Sequence, residues 1–147
     1  MQIQQALALY SRLEDKSESA ALDIELMLCS LLGKPRSYLF TWPEKELPQT
    51  ITTRLEVMIQ RRCDGEPVAH ILGARGFWDF DLEVSPHTLI PRPDTEILVE
   101  QALALDLPSS ARVADLGTGT GAIALALAWE RPEWTIVASD YVAEAVA

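Results

Sequence analysis

Three glycines at alternate positions form the segment of this sequence best suited to bind a ligand. Gly117, Gly119 and Gly121 lie between a predicted strand at 111–115 and a predicted apolar helix at 122–129. Glycine allows a tight turn and a close approach of the backbone to a ligand, because it has no Cβ atom. A strand, a glycine loop and a helix in this order are the context in which such a loop indicates a ligand site.

A carboxylate follows at the end of the next predicted strand, at 134–140. Asp140 lies 19 residues beyond Gly121, and a carboxylate in this place can accept hydrogen bonds from both ribose hydroxyls of a nucleoside. The loop, its context and this acid together predict a nucleoside-binding site.

The same loop is compatible with two kinds of nucleoside ligand. Gly117, Gly119 and Ala122 satisfy the dinucleotide fingerprint G-x-G-x-x-G/A. Asp115, however, stands near the place of a dinucleotide's pyrophosphate, where a second negative charge is unfavourable. S-adenosylmethionine has no phosphate and carries a cationic sulfonium and ammonium, so Asp115 favours that ligand.

The segments that must position this loop change in character near Gly73. Before it, apolar residues recur at helical spacing and predict three or four short helices in a small bundle. Gly33 and Pro35 are expected to end the second helix. We expect the first helix to place five side chains on one face: Ile3, Ala6, Leu7, Tyr10 and Leu13.

After Gly73 the pattern is that of an α/β protein. Strict alternation at 80–84 predicts a half-exposed strand, with 74–78 as its hairpin partner and a turn near Asp79. Asp94 is expected to cap a helix at 95–105. Residues 111–140 read as one strand–helix–strand unit of a parallel sheet, and 141–147 as the opening of another helix. The remaining prediction is that three tryptophans pack in a core or a domain interface: Trp78, Trp129 and Trp134.

Composition and charge exclude several functions. The net charge is −10, whereas a nucleic-acid surface needs a positive stripe. Residues 1–73 hold 8 Lys and Arg against 10 Asp and Glu, and residues 74–147 hold 4 against 12. We expect no membrane span, no signal peptide and a cytoplasmic protein. The two cysteines and two histidines have no metal-ligand spacing, so no metal site is predicted.

Several motifs resemble one protein family. The loop DLGTGTG at 115–121 resembles the first motif of class I S-adenosylmethionine methyltransferases. RRCDGEPVAHILG at 61–73, GFW at 76–78 and LIPRPDTE at 89–96 resemble the peptide-chain release factor glutamine methyltransferases. The resemblance covers essentially the whole chain.

This resemblance implies a fold and a reaction. It implies a helical substrate-recognition domain at 1–73, a β-hairpin linker at 74–90, and at 91–147 the start of a Rossmann-like, doubly wound methyltransferase sheet. The family transfers a methyl group from S-adenosylmethionine to the glutamine side-chain amide in the Gly-Gly-Gln loop of release factors. We expect a monomer whose partner is a release factor. The implied cofactor contacts are Gly117, Thr118, Gly119, Thr120, Gly121 and Asp140.

The chain departs from the family at one motif. The family grips its substrate glutamine with Asn-Pro-Pro-Tyr, and these 147 residues contain no asparagine. We therefore assign no catalytic residue, and expect an amino-terminal part of a longer protein that is inactive alone and binds the cofactor weakly or not at all. The alternatives, in order, are glutamine methylation of a ribosomal protein, a non-catalytic protein-binding module, and a nicotinamide-dependent oxidoreductase.

Overall fold

The computed structural model describes residues 1–145 of the chain. It divides into two compact units, Met1–Leu72 and Gly73–Ala147, which are taken one at a time below. The first unit is helical, and the second combines short strands with helices. The expected α/β class, with a helical region before the strands, is confirmed.

The first unit is built from five α-helices around an apolar core. Buried residues of all the helices share this core, together with Leu13 and Leu47 from the connecting segments. Gly33 ends the second helix as predicted, with φ of 61°, a left-handed conformation that glycine adopts without steric cost. The elements are α1 (Ile3–Leu7), a 3₁₀ helix (Ala8–Arg12), α2 (Ala20–Leu32), α3 (Arg36–Thr41), α4 (Gln49–Cys63) and α5 (Val68–Leu72).

One sequence expectation for this unit was wrong, and one helix was not predicted. Tyr10 does not share a face with Ile3 and Leu13, because the chain tightens at Ala8 into a 3₁₀ helix with three residues per turn. Leu13 is fully buried while Tyr10 is 41% exposed. The five-residue helix α5 was also missed, since so short a segment has too little periodicity to be recognised.

The second unit begins with the predicted hairpin. Strands β1 (Ala74–Phe77) and β2 (Phe80–Glu83) pair antiparallel, with Phe77 opposite Phe80. The two-residue turn places Trp78 at φ of 55°, which is uncommon for a residue with a side chain. Its backbone N–H donates to Glu96 at 3.0 Å and its indole N–H donates to Glu130 at 2.8 Å. These bonds connect the turn to two helices of the same unit.

The predicted strand–helix–strand unit is present. Its strands pair in parallel, with Arg112 opposite Thr135 and Leu116 opposite Ser139. The elements after the hairpin are α6 (Asp94–Leu103), β3 (Arg112–Leu116), α7 (Ala122–Glu130), β4 (Thr135–Ser139) and a 3₁₀ helix (Ala143–Ala145). The helix expected over 141–147 is thus a single 3₁₀ turn as far as residue 145, and residues 146–147 lie outside the described residues.

Two details of this unit correct the sequence analysis. Asp94 is not a cap but the first residue of α6, because Pro93 before it already has helical backbone angles; in the first turn its carboxylate still interacts favourably with the helix dipole. Of the two positions predicted for Trp129, a core or a domain interface, the core is wrong, since Trp129 is 66% exposed and meets only the Phe80 ring, edge to face. Trp134 is buried as expected.

Candidate cofactor site

The glycine loop owes its shape to three left-handed residues. Gly117, Gly119 and Gly121 have φ values of 78°, 55° and 76°. A Cβ atom on Gly121 would lie 3.3 Å from Leu125 Cδ1, so this glycine also allows the loop to sit tightly on α7. A Cβ atom on either of the other two would have no atom within 4 Å. The first two glycines therefore leave open space beside the backbone.

Three successive backbone N–H groups of the loop point to the end of β4. Gly117 and Thr118 donate to the carbonyl of Ser139 at 2.8 and 3.0 Å. Gly119 donates to Asp140 Oδ2 at 2.8 Å. The loop is thus hydrogen-bonded to the neighbouring strand end, and these N–H groups are already paired.

A side-chain bond fastens the other side of the loop. Thr118 Oγ1 donates to Asp115 Oδ2 at 2.7 Å. Asp115 belongs to β3, so this bond connects the loop to the strand that it leaves. The carboxylate is thereby placed beside the loop, where the sequence analysis expected it.

Asp140 accepts hydrogen bonds on both carboxylate oxygens. Besides the bond from Gly119, its Oδ1 accepts from the Val142 N–H at 2.9 Å. The N–H groups of Val142 and Gly119 hold the pKa of this carboxyl below its usual value. An ionised carboxylate offers about four lone-pair positions, so it can accept a further donor, such as a ribose hydroxyl.

Thr120 lies beside a cavity in the same unit. This cavity has a volume of about 360 Å³, and its lining includes Thr120, Leu125 and three acidic residues, Asp81, Glu83 and Glu144. Its acidic lining suits a cationic group better than an anionic one.

The structure therefore brings all six sequence-predicted contact residues into one loop and one strand end. Their role in binding stays a prediction. Sequence reasoning missed the Ser139 carbonyl and the Val142 N–H, and no residue pattern could have revealed them, because every residue carries a backbone carbonyl and every residue except proline a backbone N–H. The Asp115–Thr118 bond did have a signal, an acid three residues before a hydroxyl.

Two other kinds of feature are absent from residues 1–145. No cluster of three or more His, Cys, Asp or Glu side chains there could hold a metal ion. No helix in that range is long and apolar enough to cross a membrane.

A parallel strand pair, joined through a glycine loop and a helix and followed by an acid, is typical of nucleoside-binding α/β proteins. The comparisons with known proteins narrow this class. Residues 5–73 match the family model described as the PrmC N-terminal domain, and residues 93–147 match the methyltransferase small domain.

Similar curated proteins carry one name, release factor glutamine methyltransferase. The chain is 59% identical to that of Shewanella oneidensis over 138 residues, which are 94% of this chain and 48% of the relative. It is 63% identical to that of Pseudomonas aeruginosa over 137 residues, 93% and 49% of the two chains. With that of Escherichia coli it shares 51% identity over 130 residues, 88% and 47%.

The chain belongs to the release factor glutamine methyltransferase family, as the two domain matches and these identities agree. It spans about half the length of the curated relatives it matches.

Proposed function

We propose that this chain provides the S-adenosylmethionine-binding loop and a substrate-recognition unit for methylation of the glutamine in the Gly-Gly-Gln motif of release factors. The relatives' names support the reaction and the partner. The observation that carries the choice of cofactor is the pairing of the N–H groups of Gly117, Thr118 and Gly119 with the end of β4.

That pairing disfavours a dinucleotide. A pyrophosphate at such a loop is bound by free backbone N–H groups together with the helix N-terminus. Here three of those groups donate to Ser139 and Asp140, and the Asp115 and Asp140 carboxylates add negative charge beside the loop. A cationic, phosphate-free nucleoside suits this arrangement better than a pyrophosphate does.

The residues present fit S-adenosylmethionine. The Asp140 carboxylate would accept the ribose hydroxyls, and the open space at Gly117 and Gly119 would admit the ligand beside the backbone. Thr118 and Asp115 would keep the loop in place. When bound, the cofactor supplies an electrophilic methyl group on its sulfonium; these residues bind and orient it.

A ligand titration tests the cofactor. We expect the stable analogue S-adenosylhomocysteine, added at millimolar concentration to the ¹⁵N-labelled chain, to shift the amide signals of residues 117–121 and 140. NAD⁺ at the same concentration should leave them in place. A stronger response to NAD⁺ would reverse the proposal. Calorimetry tests the expectation of weak binding, which micromolar affinity for this 147-residue chain would contradict.

A transfer assay tests the substrate. In the complete protein that carries these residues, we expect methyl transfer to a release factor and none to a release factor whose Gly-Gly-Gln glutamine is alanine. Preferred methylation of a ribosomal protein would favour the alternative. We propose that the protein acts in the cytoplasm, because release factors work on cytoplasmic ribosomes. We also propose that it is a monomer.

We further propose that the helical unit helps to seat the release factor. Two aromatic side chains support this, since Phe40 and Trp42 are 60% and 56% exposed, and exposed aromatics are enriched at protein interfaces. Trp42→Ala should weaken capture of a release factor, while Val57→Ala, also at an exposed apolar position, should not. Equal capture by both variants would remove this surface from the proposal. Capture without any methyl transfer by the complete protein would favour a pure binding module.

A further inference from the structure

The Asp140 carboxylate touches two segments that flank the proposed cofactor site. Oδ2 accepts from Gly119 in the middle of the glycine loop, and Oδ1 accepts from Val142 in the segment after β4. These two donors lie more than twenty residues apart in sequence. One side chain therefore bridges the loop and the continuation of the chain.

The neighbouring contacts show which part of the loop depends on this carboxylate. Gly117 and Thr118 are held by the Ser139 carbonyl, and Gly121 donates to the Thr118 carbonyl at 2.9 Å. Gly119 lies between them and donates to the Asp140 side chain. The centre of the loop is thus fastened by a side chain, while its start is fastened by backbone.

We infer that Asp140 is a positioning residue for the glycine loop, fixing the Gly119 peptide and the Val142 segment around the site before any ligand is present. This inference rests on the proposed function only in taking the loop as the cofactor loop. It goes beyond ribose recognition, because it assigns Asp140 a role that exists in the ligand-free protein.

The Asp140 carboxylate has enough acceptor positions to hold the loop and to bind a ribose hydroxyl at the same time. A carboxylate has about four lone-pair positions, and the two backbone bonds use one on each oxygen. The Tyr141 N–H is a third backbone donor to this carboxylate, so at least one position is left to accept a ribose hydroxyl without releasing the loop. Charge-assisted bonds of this kind are stronger than neutral ones, so the loop centre should be ordered in the ligand-free chain.

Amide hydrogen exchange in the ligand-free chain tests the inference. In Asp140→Ala, the Gly119 amide should exchange about tenfold faster or more, the effect of losing a charge-assisted bond. The Gly117 amide is the internal control, because its acceptor is the Ser139 carbonyl and should keep its protection. Asp140→Asn retains one side-chain oxygen and should give an intermediate rate. Unchanged exchange at Gly119 in a folded Asp140→Ala chain would overturn the inference.

A measurement on the unaltered chain covers the case in which Asp140→Ala fails to fold. A scalar coupling across the hydrogen bond, between the Gly119 amide nitrogen and the Asp140 carboxyl carbon, should be detectable without ligand. Its absence, in a sample where the corresponding Gly117–Ser139 coupling is seen, would overturn the inference. Neither experiment contains a cofactor. A negative result in either one would therefore count against the inference alone, whereas a negative ligand titration would count against the proposed function.

Discussion

The two units of the chain differ in how completely they bury their large apolar side chains. Among the described residues, nine large side chains are essentially fully buried; eight lie in the first unit, and only Val99 lies in the second. In the second unit, Leu116 and Val137 on the parallel strands are 79% and 57% exposed. Both units have a buried apolar cluster, and that of the second unit centres on Val99 and Leu127. The cluster of the first unit contains more fully buried large side chains, whereas the two-stranded parallel sheet of the second unit leaves apolar surface uncovered.

The difference shows where each unit gets its order. In the helical unit, order comes from side-chain packing, which depends on burial. In the second unit, the cofactor loop is ordered by individual hydrogen bonds to Ser139, Asp115 and Asp140. The first unit should therefore respond most to loss of apolar volume, and the loop to loss of single polar groups or of a special backbone conformation.

A matched pair of leucine truncations should show the largest contrast. Leu28→Ala removes a fully buried side chain of α2 and should lower the free energy of unfolding by about 2–5 kcal/mol. Leu116→Ala removes an exposed side chain and should change it by less than about 0.5 kcal/mol. Urea unfolding followed by circular dichroism measures both. Equal losses would contradict the contrast between the units.

The next largest effect is expected at an ion pair of the first unit. Among the ion pairs of the described residues, it is the one in which both side chains are mostly shielded from solvent. Arg62 Nε donates to Asp23 Oδ2 at 2.8 Å, and their side chains are 17% and 7% exposed. Arg62→Met leaves the Asp23 carboxylate buried with only the hydroxyl of Ser19 as a side-chain donor, which should cost about 3 kcal/mol.

The control for this prediction is a neighbouring ion pair, between Arg61 in the last turn of α4 and Glu66 just after the helix. Their side chains are 42% and 31% exposed. Glu66→Gln should cost less than about 1 kcal/mol, because solvent screens an exposed pair. Both variants are compared with the unaltered chain by urea unfolding. A larger loss for Glu66→Gln would show that burial does not decide the strength of these pairs.

Sequence reasoning located the features that side-chain type controls. Alternation at 80–84 predicted the hairpin strand, Gly33 predicted the end of α2, and three glycines predicted the loop. It failed where backbone conformation or backbone partners decide. Pro93 takes helical angles and displaces Asp94 from the cap, and a 3₁₀ turn moves Tyr10 off the core.

The same limit applies to the candidate site. The pattern indicated Asp140 as a ribose acceptor, but not that its oxygens hold Gly119 and Val142. Those donors are peptide N–H groups, which every residue except proline carries, so only the folded chain shows which acceptor each one meets.

Two glycine substitutions test whether the cofactor loop depends on its special backbone conformation. Gly121→Ala forces an L-residue to φ of 76° and places its Cβ 3.3 Å from Leu125, which should cost about 1–2 kcal/mol. Gly76→Ala, in β1, has no positive φ, and its Cβ meets Asp81 only at an ordinary 3.5 Å. Alanine there should be neutral or slightly stabilising, because it restricts the unfolded chain. Thermal unfolding compares the two; equal costs would mean that the loop conformation is not what makes Gly121 necessary.

The smallest predicted effect is the response of the loop to acid. The N–H groups of Val142 and Gly119 lower the pKa of Asp140 in the folded chain, so its contribution to loop order is present above the unfolded value, near 3.8. That contribution is lost as the pH falls through the lower, folded pKa. The Gly119 amide signal should therefore stay constant from neutral pH down to about 4 and move only below it.

Asp140→Asn separates this carboxyl from the other acids of the unit, since it cannot titrate. In that variant the acid-induced movement of the Gly119 signal should disappear, while the Gly117 signal, whose acceptor is a peptide carbonyl, should respond as in the unaltered chain. A Gly119 step that persists in Asp140→Asn would assign the titration to another carboxyl. It would also weaken the view that a single side chain orders the loop centre, in contrast to the many packed side chains that order the helical unit.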